Sequence, residues 1–159
     1  MPHTPADACS LLDTDHKNVK KMFETYESLN ASKAQDVRSR KLELARHICL
    51  ELTVHTQIEE EIFYPALRGQ IRDEDLLDEA NVEHQSAKDL IAQIEQASEV
   101  DDMFDARVKV LGEYIDHHVK EERNELFPQA RDSGVDLVSL GELLRLRKAD
   151  LMEEQTAAA

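Results

Sequence analysis

His55-Thr-Gln-Ile-Glu59-Glu-Glu-Ile-Phe-Tyr-Pro65 sets a histidine and a carboxylate four residues apart, with a proline ten residues after the histidine. His118-Val-Lys-Glu-Glu122-Arg-Asn-Glu-Leu-Phe-Pro128 repeats the arrangement at the same offsets. Residues four apart on an α-helix differ by only about 40° around its axis, so each pair points two ligating groups one way. The prolines stand where a long helix ends or kinks.

The flanking residues extend both stretches into helices. Ala45, Ile48, Leu52, His55, Glu59 and Ile62 keep a three-and-four rhythm that predicts a helix over 34–67. Phe104, Val108, Leu111, Ile115, His118 and Glu122 predict another over 102–131. Leu12, His16, Val19, Phe23 and Tyr26 predict a first helix over 8–29, and Leu77, Ala80, His84, Ala87, Ile91 and Ile94 a third over 74–98. Short links between such helices imply antiparallel neighbours, so the expected fold is all-α, an up-down-up-down four-helix bundle over about 8–131. Ser139 and Glu142 make a capping-box pattern for an additional C-terminal helix over about 138–155, carrying Leu140, Leu143, Leu144, Leu146 and Leu151. The Glu-Glu-Gln-Thr-Ala-Ala-Ala end is expected to fray.

Composition agrees with one helical domain spanning 1–159. A chain of 159 residues is the usual size of a single core, and its Leu, Ala, Glu, Lys and Arg favour helix. A net charge of −15 repels phosphate backbones and anionic lipid heads, so neither nucleic acid nor a membrane is an expected partner. The start of the chain lacks a basic and then apolar leader, and no stretch approaches the length of a membrane span. A soluble, cytoplasmic protein is expected, with Cys9 and Cys49 as ordinary reduced thiols.

Six polar residues interrupt the apolar stripes: His16, His55, Glu59, His84, His118 and Glu122. Burying them without partners costs several kcal/mol each in rough terms, and a bound cation removes that cost. Four imidazoles and two carboxylates are too many for one tetrahedral zinc, and the missing thiolates argue against structural zinc and iron–sulfur sites. Two metal ions are the better count. Mixed nitrogen and oxygen donors suit iron best, with manganese and zinc as alternatives.

The order His, His-x-x-x-Glu, His, His-x-x-x-Glu along four helices resembles the hemerythrin-like, or HHE cation-binding, family, over about residues 8–131. The resemblance implies that His16, His55, His84 and His118 are terminal iron ligands. It also implies that Glu59 and Glu122 bridge a non-haem di-iron centre of two iron ions, oxo- or hydroxo-bridged. One position departs from the oxygen-carrying members, which place two histidines a turn apart on the third helix: here the neighbours of His84 at that spacing are Ala80 and Lys88. Either one iron is more open, or a side chain such as Tyr64 or Glu83 takes the place. Tyr64 is a hard oxygen donor, but nine residues beyond His55 it faces away from the seam unless the chain deforms before Pro65.

Other candidates have plainer readings. His3, His47 and His117 fall outside the seams and read as surface residues, although His117 and Glu121 also satisfy His-x-x-x-Glu. Tyr114 and Glu51 each lie one turn before a seam histidine, where an orienting role competes with a core tyrosine and a solvated acid. The Glu59-Glu60-Glu61 and Glu121-Glu122 runs read as solvated charge with one member of each turned inward. Phe23, Phe63, Phe104 and Phe127 read as packing that shields the centre from water.

The resemblance implies a protein that binds or reacts with a small oxidant, dioxygen, hydrogen peroxide or nitric oxide. If it is an enzyme, a di-iron oxidoreductase of catalase- or peroxidase-like type is expected, since no nucleophile or general-base triad is visible. A sensor or iron store without turnover is the alternative. A zinc-stabilised or metal-free bundle is a third.

Overall fold

The structure, a computed structural model, describes residues 6–158, so His3 and most of the Pro-containing arm lie outside the described residues. Among the described residues five helices make the fold. Helix α1 is Ala8–Leu29; α2 is Val37–Ile58 and runs on through a π-helical turn, Glu59–Phe63, into Tyr64–Leu67. Helix α3 is Asp75–Gln96. Helix α4 is Asp102–Glu121 and continues through a second π-helical turn, Glu122–Leu126, into Phe127–Asp132. Helix α5 is Leu137–Ala158, longer than the 138–155 expected, so the C-terminal end is helical rather than frayed as far as it is described.

Capping side chains fix the starts. Asp7 Oδ1 accepts from the Ser10 N–H at 2.8 Å at the head of α1, and Asp101 Oδ1 from the Phe104 N–H at 2.9 Å at the head of α4. At α5 the cap is Asp136, which accepts both the N–H and the hydroxyl of Ser139. The Ser139–Glu142 box is therefore not formed, and Glu142 pairs with Arg145 instead. Gly69 closes α2 with φ of 77°, a left-handed conformation that glycine adopts without a Cβ penalty.

Helices α1 to α4 form the up-down-up-down bundle, and α5 packs across α1 and α2. Gly141 sits so close to the first turn of α1 that an added Cβ would stand 2.9 Å from the Ala8 nitrogen, which explains a glycine inside α5. Two apolar clusters make up the core. One gathers Leu12, Ile58, Phe63, Leu77, Leu126 and Leu144; the other gathers Val19, Leu52, Ala87, Phe104, Leu111 and Val119. Along every bundle helix the stripe passes from one cluster to the other through a histidine or glutamate, so the polar residues form a layer between them.

Candidate metal centre

All six seam residues enter that layer, and none is more than 6% exposed. They are arranged as two facing histidine pairs. Nε2 of His16 lies 3.0 Å from Nε2 of His55, and Nε2 of His84 lies 3.2 Å from Nε2 of His118. The glutamates span the two pairs. Glu59 Oε1 is 3.1 Å from His55 and 3.2 Å from His84; Glu122 Oε1 is 3.0 Å from His118 and 3.3 Å from His16.

The outer edge of the rings sets their protonation. Nδ1 of His55, His84 and His118 lies 3.1, 3.1 and 2.9 Å from Asp15, Glu60 and Glu83, and each is placed to donate its N–H to that carboxylate. An imidazole that donates from Nδ1 presents a lone pair at Nε2. Lone pairs and carboxylate oxygens then crowd one another inside the bundle, and Glu59 Oε1, Glu59 Oε2 and Glu122 Oε1 have no hydrogen-bond partner. Such a donor set is unfavourable unless cations or protons sit within it.

The titration behaviour of these groups carries the same sign. Burial alone would depress His55, but Glu59 and Asp15 outweigh it and lift its pKa to about 10. His84 and His118 are also raised against burial by their carboxylates. Burial would raise Glu59; the surrounding imidazoles overcome that and hold it well below the usual carboxylate range.

Tyr64 reaches the site because the helix deforms where the sequence required it to. Its N–H bonds to the carbonyl of Glu59, five residues back, and Phe127 makes the matching bond to Glu122. A π-turn absorbs one extra residue, so the side chain five positions on returns to nearly the face of the glutamate. Pro65 and Pro128 have no N–H to continue an α-helical ladder, and their rings disfavour the α position for the carbonyl four residues back. The Tyr64 hydroxyl lies 3.3 Å from Nε2 of both His84 and His118 and donates to Glu122 Oε2 at 3.4 Å. Burial, with Glu122 and Glu59 close by, pushes its pKa well up. At the equivalent place on the other half, Phe127 stacks on His16 with the rings 6° apart in plane. The duplicated clamp is therefore lopsided: a phenol on one side, a phenyl on the other.

Four carboxylates outside the seams back the histidines, and sequence periodicity did not single them out in that role. Asp15 also binds Lys148 of α5 at 2.6 Å, and Glu60 binds Lys88 at 2.7 Å. Asp13 lies 3.9 Å from Nδ1 of His16, an ion-pair distance, and pairs with Arg123 and Lys17. Glu83 backs His118 and so is not a replacement ligand facing the histidine pair. Spacing could have found all four, since each stands one turn or less from a seam residue on its own helix. The Lys148 contact across 133 residues had no signal in the sequence.

Several expectations are corrected. In the Glu59-Glu60-Glu61 run Glu59 is the one inward member and Glu61 is exposed, as expected, but neither flanking acid is free: Glu60 supports His84, and Glu61 binds Arg147 of α5 at 2.9 Å. Glu51 pairs with His47 at 3.5 Å, and Tyr114 is 46% exposed, so neither orients a seam histidine. His117 is on the surface, between Glu83 and Glu121. Phe63, Phe104 and Phe127 are core residues, whereas Phe23 is half-buried on a surface groove. Cys9 and Cys49 are free and buried, and burial pushes both thiols up to about 12.

A small cavity lies over the four histidines, walled by Val19, Leu52, Ile115 and Val119. Beyond Ile115 and Val119 runs a groove of about 630 Å³ along the α1/α4 seam, with His16 among the residues that line it. Gly112 keeps the groove open beside Phe23, where an added Cβ would stand 3.1 Å from the ring. Among the described residues no helix is long and apolar enough to cross a membrane.

Comparison with known proteins agrees with this arrangement. The family model for the hemerythrin HHE cation binding domain matches residues 7–130. No curated protein matches the chain. Among solved structures, the chain is similar to a hemerythrin HHE cation binding domain-containing protein from Mycobacterium kansasii, at 20% identity and a TM-score of 0.76 over 94% of this chain and 89% of that one. At that identity the likeness speaks for the fold, and it includes α5, which the family model leaves out.

Proposed function

Since the chain belongs to the hemerythrin HHE cation-binding family, we propose that it is a cytoplasmic non-haem di-iron protein that binds or reacts with a small oxidant: dioxygen, hydrogen peroxide or nitric oxide. His16 and His55 hold one iron, His84 and His118 the other, and Glu59 and Glu122 bridge them. Tyr64 is the additional ligand on the His84 side. The observation that carries the reading is the pair of buried glutamates, with both oxygens of Glu59 and Oε1 of Glu122 lacking any hydrogen-bond partner, set between two facing imidazole pairs. Six nitrogen and oxygen donors with no thiolate suit iron.

When bound, an iron pair would supply redox capacity and Lewis acidity toward the oxidant. The chain supplies the rest. Asp15, Glu60 and Glu83 keep the Nδ1 protons of three histidines in place, leaving Nε2 free to ligate. Val19, Leu52, Ile115 and Val119 wall the histidines with apolar side chains, which excludes bulk water. Tyr64 Oη, which donates to Glu122 Oε2, places a hydroxyl proton beside the ligand cluster.

Metal analysis with a visible spectrum tests the reading: two irons per chain with oxo-to-iron absorption are expected, and zinc or no metal would overturn it. Oxygen release on adding peroxide then identifies an enzyme, whereas saturable binding without turnover identifies a sensor or store. His118→Ala is expected to abolish iron loading and His117→Ala to leave it nearly intact.

A further inference from the structure

Asp15, Glu60 and Glu83 each hydrogen-bond Nδ1 of a seam histidine, and Asp13 stands 3.9 Å from that of His16; what sets Glu83 apart is its own partner. Asp13 is paired with Arg123 and Lys17, Asp15 with Lys148, and Glu60 with Lys88. Glu83 has no such cation: among the described residues no lysine or arginine pairs with it. In that place stand His117 and a second acid, Glu121. His117 Nε2 lies 3.4 Å from Glu83 Oε2 and 3.1 Å from Glu121 Oε1, and ligating atoms of the three residues all lie within 4.8 Å of one another.

We propose that Glu83, His117 and Glu121 form an outer site for one exchangeable divalent transition ion, which takes the place that Lys148 and Lys88 hold behind the other histidines. One imidazole and two carboxylates suit a borderline ion such as Zn²⁺, Mn²⁺ or Fe²⁺ better than Mg²⁺ or Ca²⁺, which prefer all-oxygen shells. Helical geometry builds the site in advance. His117 and Glu121 are one turn apart on α4, and Glu83 faces them from α3 with its other oxygen already held by Nδ1 of His118 at 2.9 Å. His117 is exposed, so the ion enters from solvent while Glu83 connects it to the buried layer. Three protein ligands leave room for water, as expected for an ion that comes and goes.

Zn²⁺ titration by calorimetry tests this on the isolated holoprotein, after iron analysis and removal of loose metal on a chelating resin. The expected result is one Zn²⁺ per chain beyond the iron, with iron content unchanged. His117→Ala and Glu121→Gln, which leave the buried ligands alone, should each weaken that ion by at least about tenfold. Absence of the extra ion, or equal affinity in the double variant, overturns the proposal. The site rests on the reading of the buried layer only for its connection to His118. A chain that takes up no iron yet loses one Zn²⁺ in His117→Ala would overturn the di-iron reading and keep this site.

Discussion

Tyr64 Oη lies 3.3 Å from Nε2 of His84, a contact made on one half of a duplicated site and refused on the other, where Phe127 stands. The two halves repeat at an offset of 63 residues, His55 to His118 and Pro65 to Pro128, and the π-turns deliver position 64 and position 127 to the same height. Only the side chain differs. Coordination by a phenolate would need a cation beside it, because burial and two glutamates hold the phenol protonated. Tyr64→Phe is therefore expected to keep the iron content and to lose a phenolate-to-iron band in the visible spectrum. Loss of the hydroxyl should cost the metal-free protein about 1 kcal/mol, the worth of one hydrogen bond. An unchanged spectrum would remove Tyr64 from the ligand set.

Helix α5 lies outside the region the family model matches, yet its Lys148 holds Asp15, which holds His55. Lys148→Met keeps most of the side chain's apolar bulk and removes only the charge. Iron should then be lost to a competing chelator more readily, by on the order of 10–100-fold in affinity, as is usual when the support of a ligand is cut. Lys17→Met, whose partner Asp13 also has Arg123, is the control and should change little.

Ile115 and Val119 are the wall between the histidine cavity and the open groove. Val119→Ala thins the wall and should raise the rate of ligand entry several-fold, at a stability cost of roughly 2 kcal/mol for two buried carbons. Gly112→Ala acts at the groove itself, since its Cβ would press on Phe23 at 3.1 Å, and should slow entry. Stopped-flow binding of azide, with iron content measured alongside, reads both. Rates that ignore both changes would place the entrance elsewhere.

What the sequence made legible, and what it did not, follows from range. The helices and the six inward residues were readable because a helix writes its buried face as a local three-and-four rhythm: His16 stands between Leu12 and Val19, and His84 between Ala80 and Ala87. Tyr64 was readable only as a conditional, because a single π-turn shifts every later residue by one position and leaves no mark except the proline that follows it. Glu60 looked like one of three solvated acids because its partner, Nδ1 of His84, is on another helix. The same holds for Asp15 and Lys148, whose meeting depends on where α5 crosses α1.

Stability of the metal-free protein should depend on pH with a definite sign. His55 has its pKa raised from 6.5 to about 10, so the stability it contributes is fully present below about 6.5 and is lost as pH rises through about 10. His84 and His118 shift the same way. Glu59 is held low, so its share is present above the ordinary carboxylate pKa and is lost as pH falls through its lowered value. The metal-free urea midpoint should therefore peak near pH 5–6.5, roughly between the ordinary carboxylate and histidine values, and decline toward pH 10. Iron reverses the dependence. A ligating Nε2 must give up its proton, so metal uptake releases protons and tightens as pH rises across the same window. Urea midpoints of loaded and metal-free protein should diverge from pH 6.5 upward, and His55→Gln should flatten the metal-free curve. A metal-free midpoint that rises over this range would mean that protons do not take the cations' place in the buried layer.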